Sequence, residues 1–91
     1  MNGESLAWLA RKQKRLKDWK TFADTEIQDA GIRKETKSKL LAYAAVLERV
    51  WENQSLDAAS AEEIDELERV LEQLNEEARL RVVGKRQAKA F

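Results

Sequence analysis

No proline interrupts the 91 residues of this chain, and its apolar side chains recur three and four positions apart over most of its length. A helix suits that spacing, because 3.6 residues per turn return those positions to one face. A proline in a helix interior costs about 3 kcal/mol, so its absence leaves long helices free to run. No stretch shows the β-branched alternation of a strand, and no internal repeat is visible. The fold class that follows is all-α.

The C-terminal half reads most sharply. Ser60-Ala61-Glu62-Glu63 has the form of a capping box, in which hydroxyl and carboxylate each satisfy an orphan amide of the first turn. Ile64, Leu67, Leu71, Leu74 and Ala78 then draw one apolar seam at 3-4-3-4 spacing. Acidic residues crowd the first turns while Arg79 and Arg81 stand near the last, an order that suits the helix dipole. Gly84 suits the left-handed position that ends many helices, so a helix is expected over 60–83.

A second helix is expected over 33–54. Its seam is Leu40, Ala44, Leu47 and Trp51, and Leu41, Tyr43, Val46 and Val50 widen the apolar surface beyond one stripe. A helix apolar nearly all round is contacted from more than one side, which makes this the core helix and places Trp51 in the core. The linker Ser55–Ala59 folds the two helices into a long antiparallel hairpin.

Upstream, Leu9, Leu16, Trp19 and Ala23 share a face with Trp8, and Arg11, Lys14, Arg15 and Lys17 occupy the opposite half. Lys12 falls inside the apolar stripe and must snorkel or mark its end. This is a basic amphipathic helix over 5–20. Residues 21–32 form a connector with a short helical turn closed by Gly31, and 84–91 form a basic tail. The expected architecture is a single domain, 1–91: a helical hairpin with an amphipathic N-terminal helix packed on it, three-helix bundle-like.

Charge sharpens the picture. Lys and Arg number 17 and so do Asp and Glu, for a formal net charge of zero. That zero is a sum of blocks. Residues 1–20 hold six basic and two acidic groups (+4), 21–47 hold four of each, 48–81 hold four and eleven (−7), and 82–91 add three basic groups. Folding the hairpin gathers Arg33, Lys34, Lys37, Lys39, Lys85 and Arg86 at one end and most carboxylates at the other. Three readings are open. The first helix, if antiparallel to the second, neutralises the acidic end through Arg11, Lys12, Lys14 and Arg15. Alternatively, the basic end of one copy meets the acidic end of another, or the basic groups meet nucleic acid.

Several chemistries are excluded or unmarked. The chain has no Cys and no His, so thiol nucleophiles, disulfides and Cys/His zinc sites are out, as is the side chain best suited to acid–base work near neutrality. No Gly-x-Ser-x-Gly, phosphate loop or dinucleotide fingerprint occurs, and the carboxylates Glu62, Glu63, Asp65, Glu66, Glu68 and Glu72 read as the wet side of an apolar seam. A helix-turn-helix around Gly31 fits in outline, but Ile27 stands where that motif wants a small residue and Lys37 where it buries an apolar one. Gly31 is better read as a helix cap. Trp8, Trp19 and Phe22 among basic residues suit base stacking or a membrane surface, but both tryptophans project onto the face a bundle buries. The longest apolar run, Leu40 to Leu47, is too short for a membrane span, and residues 1–4 show no secretion leader, so a cytoplasmic protein is expected.

The expected function is a non-enzymatic helical protein–protein interaction module, an adaptor or regulator that self-associates. Val46, Val50, Trp51 and Leu80 are the apolar contacts expected to meet a protein partner or another copy. The alternative is a small nucleic-acid-binding regulator that uses the basic end of the hairpin and the basic first helix. No cofactor and no metal are implied.

Overall fold

A computed structural model describes residues 1–90, with side chains described as far as Leu80. Three helices make up the fold: α1 (Gly3–Thr25), α2 (Ala30–Asn53) and α3 (Ala58–Ala90), with no strand among the described residues. The all-α reading holds. Each helix is nevertheless longer than the pattern predicts, and the reasons lie at the ends.

Asn2 caps α1, its side-chain oxygen accepting the Ser5 N–H at 2.8 Å. The helix continues past Lys20 because Ala23 is buried in the core and Phe22 packs against it. Thr21 and Thr25 donate their hydroxyls to the carbonyls of Lys17 and Thr21, four residues back, at 3.2 and 2.8 Å. The expected turn over 25–31 does not form. Ile27 instead drops from a short loop into the core, where it is buried. Asp29 then caps α2 by accepting the Ile32 N–H at 2.9 Å, so α2 begins at Ala30 rather than Arg33. Gly31 therefore lies in the first turn of α2 and terminates nothing, and no described glycine has a positive φ.

At its other end α2 stops on Gln54, a non-glycine residue in the left-handed conformation with φ 54°. Its N–H reaches the Trp51 carbonyl at 3.2 Å, and the Ser55 N–H reaches that of Val50 at 3.3 Å. The capping box at Ser60 is not used. Asp57 caps α3 three residues earlier, taking the Ser60 N–H on its carboxylate at 2.7 Å, while Glu63 turns away to pair with Arg49. That amide holds the Asp57 carboxyl below its ordinary value of 3.8. Gly84 does not stop α3, which runs on to Ala90.

Ion pairs and hydrogen bonds fix the directions. Arg49 meets Glu63 and Tyr43 meets Glu68, so α3 runs antiparallel to α2. Lys37 meets Asp24 near the α1–α2 loop, and Lys12 and Arg15 meet Glu68 and Glu72, so α1 is antiparallel to α2 and parallel to α3. The result is an up-down-up rod of 57 × 19 × 18 Å. Its core takes Leu9, Trp19 and Ala23 from α1, six apolar residues of α2 from Ile32 to Val50, and Ile64, Leu71, Leu74 and Ala78 from α3. The ring of Trp19 stands edge-on to that of Tyr43 at 5.6 Å.

The central helix is α2, which packs on both neighbours. Among the described residues, α1 and α3 nowhere bring their Cα atoms within 8 Å. Long polar side chains bridge that wider seam.

Candidate interaction surface

The bridge between α1 and α3 is a connected polar cluster of Lys12, Arg15, Tyr43, Glu68 and Glu72. Lys12, the cation inside the apolar stripe, places Nζ 2.6 Å from Glu68 Oε1. The same oxygen accepts the Tyr43 hydroxyl at 3.0 Å. Arg15 lies 3.7 Å from the other Glu68 oxygen and reaches Glu72 at 3.0 Å, its guanidinium 5.0 Å from the centre of the Trp19 ring. Only 15% of the Lys12 side chain and 13% of that of Glu68 is exposed. The reading of Glu68 as a solvated carboxylate is therefore corrected. It sits on the α1-facing edge of the α3 seam, within reach of two cations and a phenol. Burial first, then the charge of Glu68 and its hydrogen bond, raise the Tyr43 pKa well above its ordinary value of 10, so the phenol stays protonated and donates.

This cluster is how the acidic end is neutralised in part from within. Lys12 and Arg15 take Glu68 and Glu72, and Arg49 takes Glu63 at 2.6 Å. Among the described residues Arg11 and Lys14 enter no ion pair, so half of the expected neutralising set stays on the surface.

The basic end is also partly spent on the fold. Arg33 donates Nε to the Ile27 carbonyl at 3.0 Å and Nη2 to that of Gln28 at 3.3 Å, which ties down the α1–α2 loop. Lys37 pairs with Asp24 at 2.8 Å and holds that carboxyl below 3.8. Lys34 is exposed and Lys39 half-buried. The side chains of Lys85 and Arg86, like Phe91, lie outside the described residues.

The four apolar residues expected to meet a partner are not brought together. Val46 and Val50 are buried within the chain's own core and offer no surface to a partner. Both are nearly fully buried together with Leu40, Tyr43 and Leu47 of the same helix. Trp51, expected in the core, is 53% exposed at the last turn of α2. Leu80 is 62% exposed, but the Arg49–Glu63 register sets it at the opposite end of the rod.

Two residues belong to the exposed apolar set that the sequence reading did not single out as contacts. Leu41 is 72% exposed, and Leu6 is 45% exposed beside Trp51. Leu6, Leu9, Ala10, Gln13 and Trp51 line one shallow depression between α1 and α2. Lys20, Asp24, Lys37, Leu40 and Leu41 line another, further along the same pair of helices. A spacing signal was present for Leu6: it lies three residues before Leu9, four before Ala10 and seven before Gln13, on the flank of the Leu9 stripe that borders the depression.

Among the described residues no group of three or more carboxylates is placed to hold a metal ion. No helix among them is long and apolar enough to cross a membrane. No family model, curated protein or solved structure matches the chain.

Proposed function

We propose that the protein is a non-enzymatic helical interaction module that works as an adaptor or regulator by packing helices against another protein chain, including its own. The observation that carries this reading is the exposed apolar set Leu6, Leu41 and Trp51 on the α1/α2 side of a rod whose own core is already filled. Large apolar side chains exposed together in shallow depressions mark contact surfaces more often than they mark catalytic sites. The acidic surplus of residues 48–81, answered only in part by Lys12, Arg15 and Arg49, favours a partner that brings positive charge.

The nucleic-acid alternative draws on fewer groups than the sequence offers, because Arg33 and Lys37 already serve the α1–α2 loop. Molar mass by light scattering across a concentration series tests the proposal, with duplex DNA added in a parallel series. Mass rising above that of one chain supports it. A monomer at every concentration that binds duplex DNA, with an affinity falling steeply as salt rises, replaces it with the alternative.

A further inference from the structure

The α1/α2 face carries a more specific reading, which rests on the self-association proposed above. On α1, Leu6, Ala10, Gln13, Lys17 and Lys20 follow one another at alternating four- and three-residue steps, all exposed. On α2, Leu41, Ala44, Glu48 and Trp51 do the same, with Ala44 half-buried. That rhythm is the one by which helices pack along a seam, yet these two stripes border a groove that faces away from α3.

Charge along the groove is ordered. Toward the α1–α2 loop stand Lys17, Lys20 and Lys34, exposed and without ion pairs among the described residues, while the charge of Lys37 is met by Asp24. Toward the other end stand Glu48 and Glu52, also exposed and unpaired. Between the two ends the helices offer uncharged Gln13 and the small Ala44 and Ala45, which allow a close approach of backbones. The face is thus basic, neutral and acidic in turn.

We infer that this α1/α2 face is the two-fold interface of an antiparallel dimer of the chain. A two-fold axis across the helices near Gln13 and Ala44 reverses the second copy. It brings Glu48 and Glu52 of each copy toward Lys17 and Lys20 of the other, and Trp51 with Leu6 toward Leu41. A two-fold axis along the helices sets basic end beside basic end and is disfavoured by the same charges. A polyanion on this face meets Glu48 and Glu52, so a second, reversed copy is the occupant that satisfies both ends.

Charge-swapped variants test the arrangement. Glu48→Lys with Glu52→Lys makes both ends of the face basic, and Lys17→Glu with Lys20→Glu makes both acidic. All four positions are exposed and unpaired, so circular dichroism should report an unchanged fold. Measured by sedimentation velocity, each variant alone should lose dimer affinity by roughly tenfold or more, and an equimolar mixture should regain it. Leu41→Glu should weaken the wild-type dimer by a similar factor, with Leu80→Glu leaving it unchanged. Variants that each dimerise like the wild type, or a mixture that stays monomeric, overturn the inference. If Leu80→Glu dissociates a wild-type oligomer that the swapped variants leave intact, self-association stands and this face falls. A wild-type chain that stays monomeric at all concentrations overturns both.

Discussion

Removing the Glu68 carboxylate is the perturbation that most directly tests how the bundle holds α1 against α3. Glu68 accepts from Lys12 at 2.6 Å and from Tyr43 at 3.0 Å, with both carboxylate and ammonium almost shielded from water. Breaking a fully buried ion pair costs about 3–5 kcal/mol, because the surviving charge is left uncompensated. Lys12 retains 15% exposure and a flexible stem, so its ammonium can reach water and the cost for Glu68→Leu falls to about 2–3 kcal/mol. A domain of 91 residues has about 5–14 kcal/mol in total, so the loss is a large share. Lys12→Met should cost less, about 1 kcal/mol, since Arg15 and the Tyr43 hydroxyl still satisfy Glu68. The double variant removes both charges and leaves only the Tyr43 hydroxyl unpaired, for about 1–2 kcal/mol. The cycle thus predicts a coupling near 2 kcal/mol. Urea unfolding followed by tryptophan fluorescence measures all four corners. A coupling below about 0.5 kcal/mol, the noise level for independent sites, refutes the claim that the pair acts as a buried unit.

Other substitutions address the remaining features. Leu71→Ala, at a fully buried position, should cost about 2–5 kcal/mol in chemical denaturation, whereas Trp51→Ala in the monomer should cost less than about 1 kcal/mol; comparable losses would return Trp51 to the core. Gln54→Gly relieves the left-handed backbone and should raise stability by about 0.5–1 kcal/mol in the same assay, with a loss counting against the cap geometry. The Thr36 hydroxyl is buried with no hydrogen-bond partner, so Thr36→Val should stabilise by about 1 kcal/mol, and a drop in the unfolding midpoint would show that the hydroxyl is satisfied. The Asp57 and Asp24 carboxyls are held below 3.8, by the Ser60 amide and by Lys37 respectively; their stabilisation is present above that pH and is lost as pH falls through the lower folded values. Asp57→Asn should therefore flatten the fall of Tm with acid below about pH 4, and an unchanged slope would remove Asp57 from the acid response.

The residues differ in how much of this they disclosed. The α3 seam was legible because Ile64, Leu71, Leu74 and Ala78 are flanked by charge, so only one phase of the helical repeat is apolar. On α2 the run from Leu40 to Leu47 is apolar all round, and two phases fit equally well. Starting from Leu40 with a step of four leads to Trp51, while a step of three leads through Tyr43 to Val50, which is the phase that packs. That ambiguity cost two interface residues. The glycines misled for a different reason. Glycine permits a left-handed turn without requiring one, and at both Gly31 and Gly84 the helix runs through. Ser60 satisfied the pattern of a capping box, but Asp57 stands one turn earlier and captured the Ser60 amide first. Lys12 was recognised as out of place in an apolar stripe; that Glu68 would answer it depended on α1 and α3 running in the same direction, which no local pattern encodes.

That shared direction has a consequence for the order of assembly. Neighbouring helices joined by loops of a few residues, as at Glu26–Asp29 and Gln54–Asp57, find each other early because little loop entropy is lost in closing them. The α1–α3 bridges join residues 56 and 57 positions apart in the chain, and rest on side chains rather than close backbones. Their larger loop-closure entropy predicts that they form after both hairpins and open before them. The Lys12–Glu68 bridge is then expected to serve as a latch on unfolding: weakening it should shorten the lifetime of the folded rod and leave its assembly rate almost untouched, which stopped-flow unfolding and refolding measure.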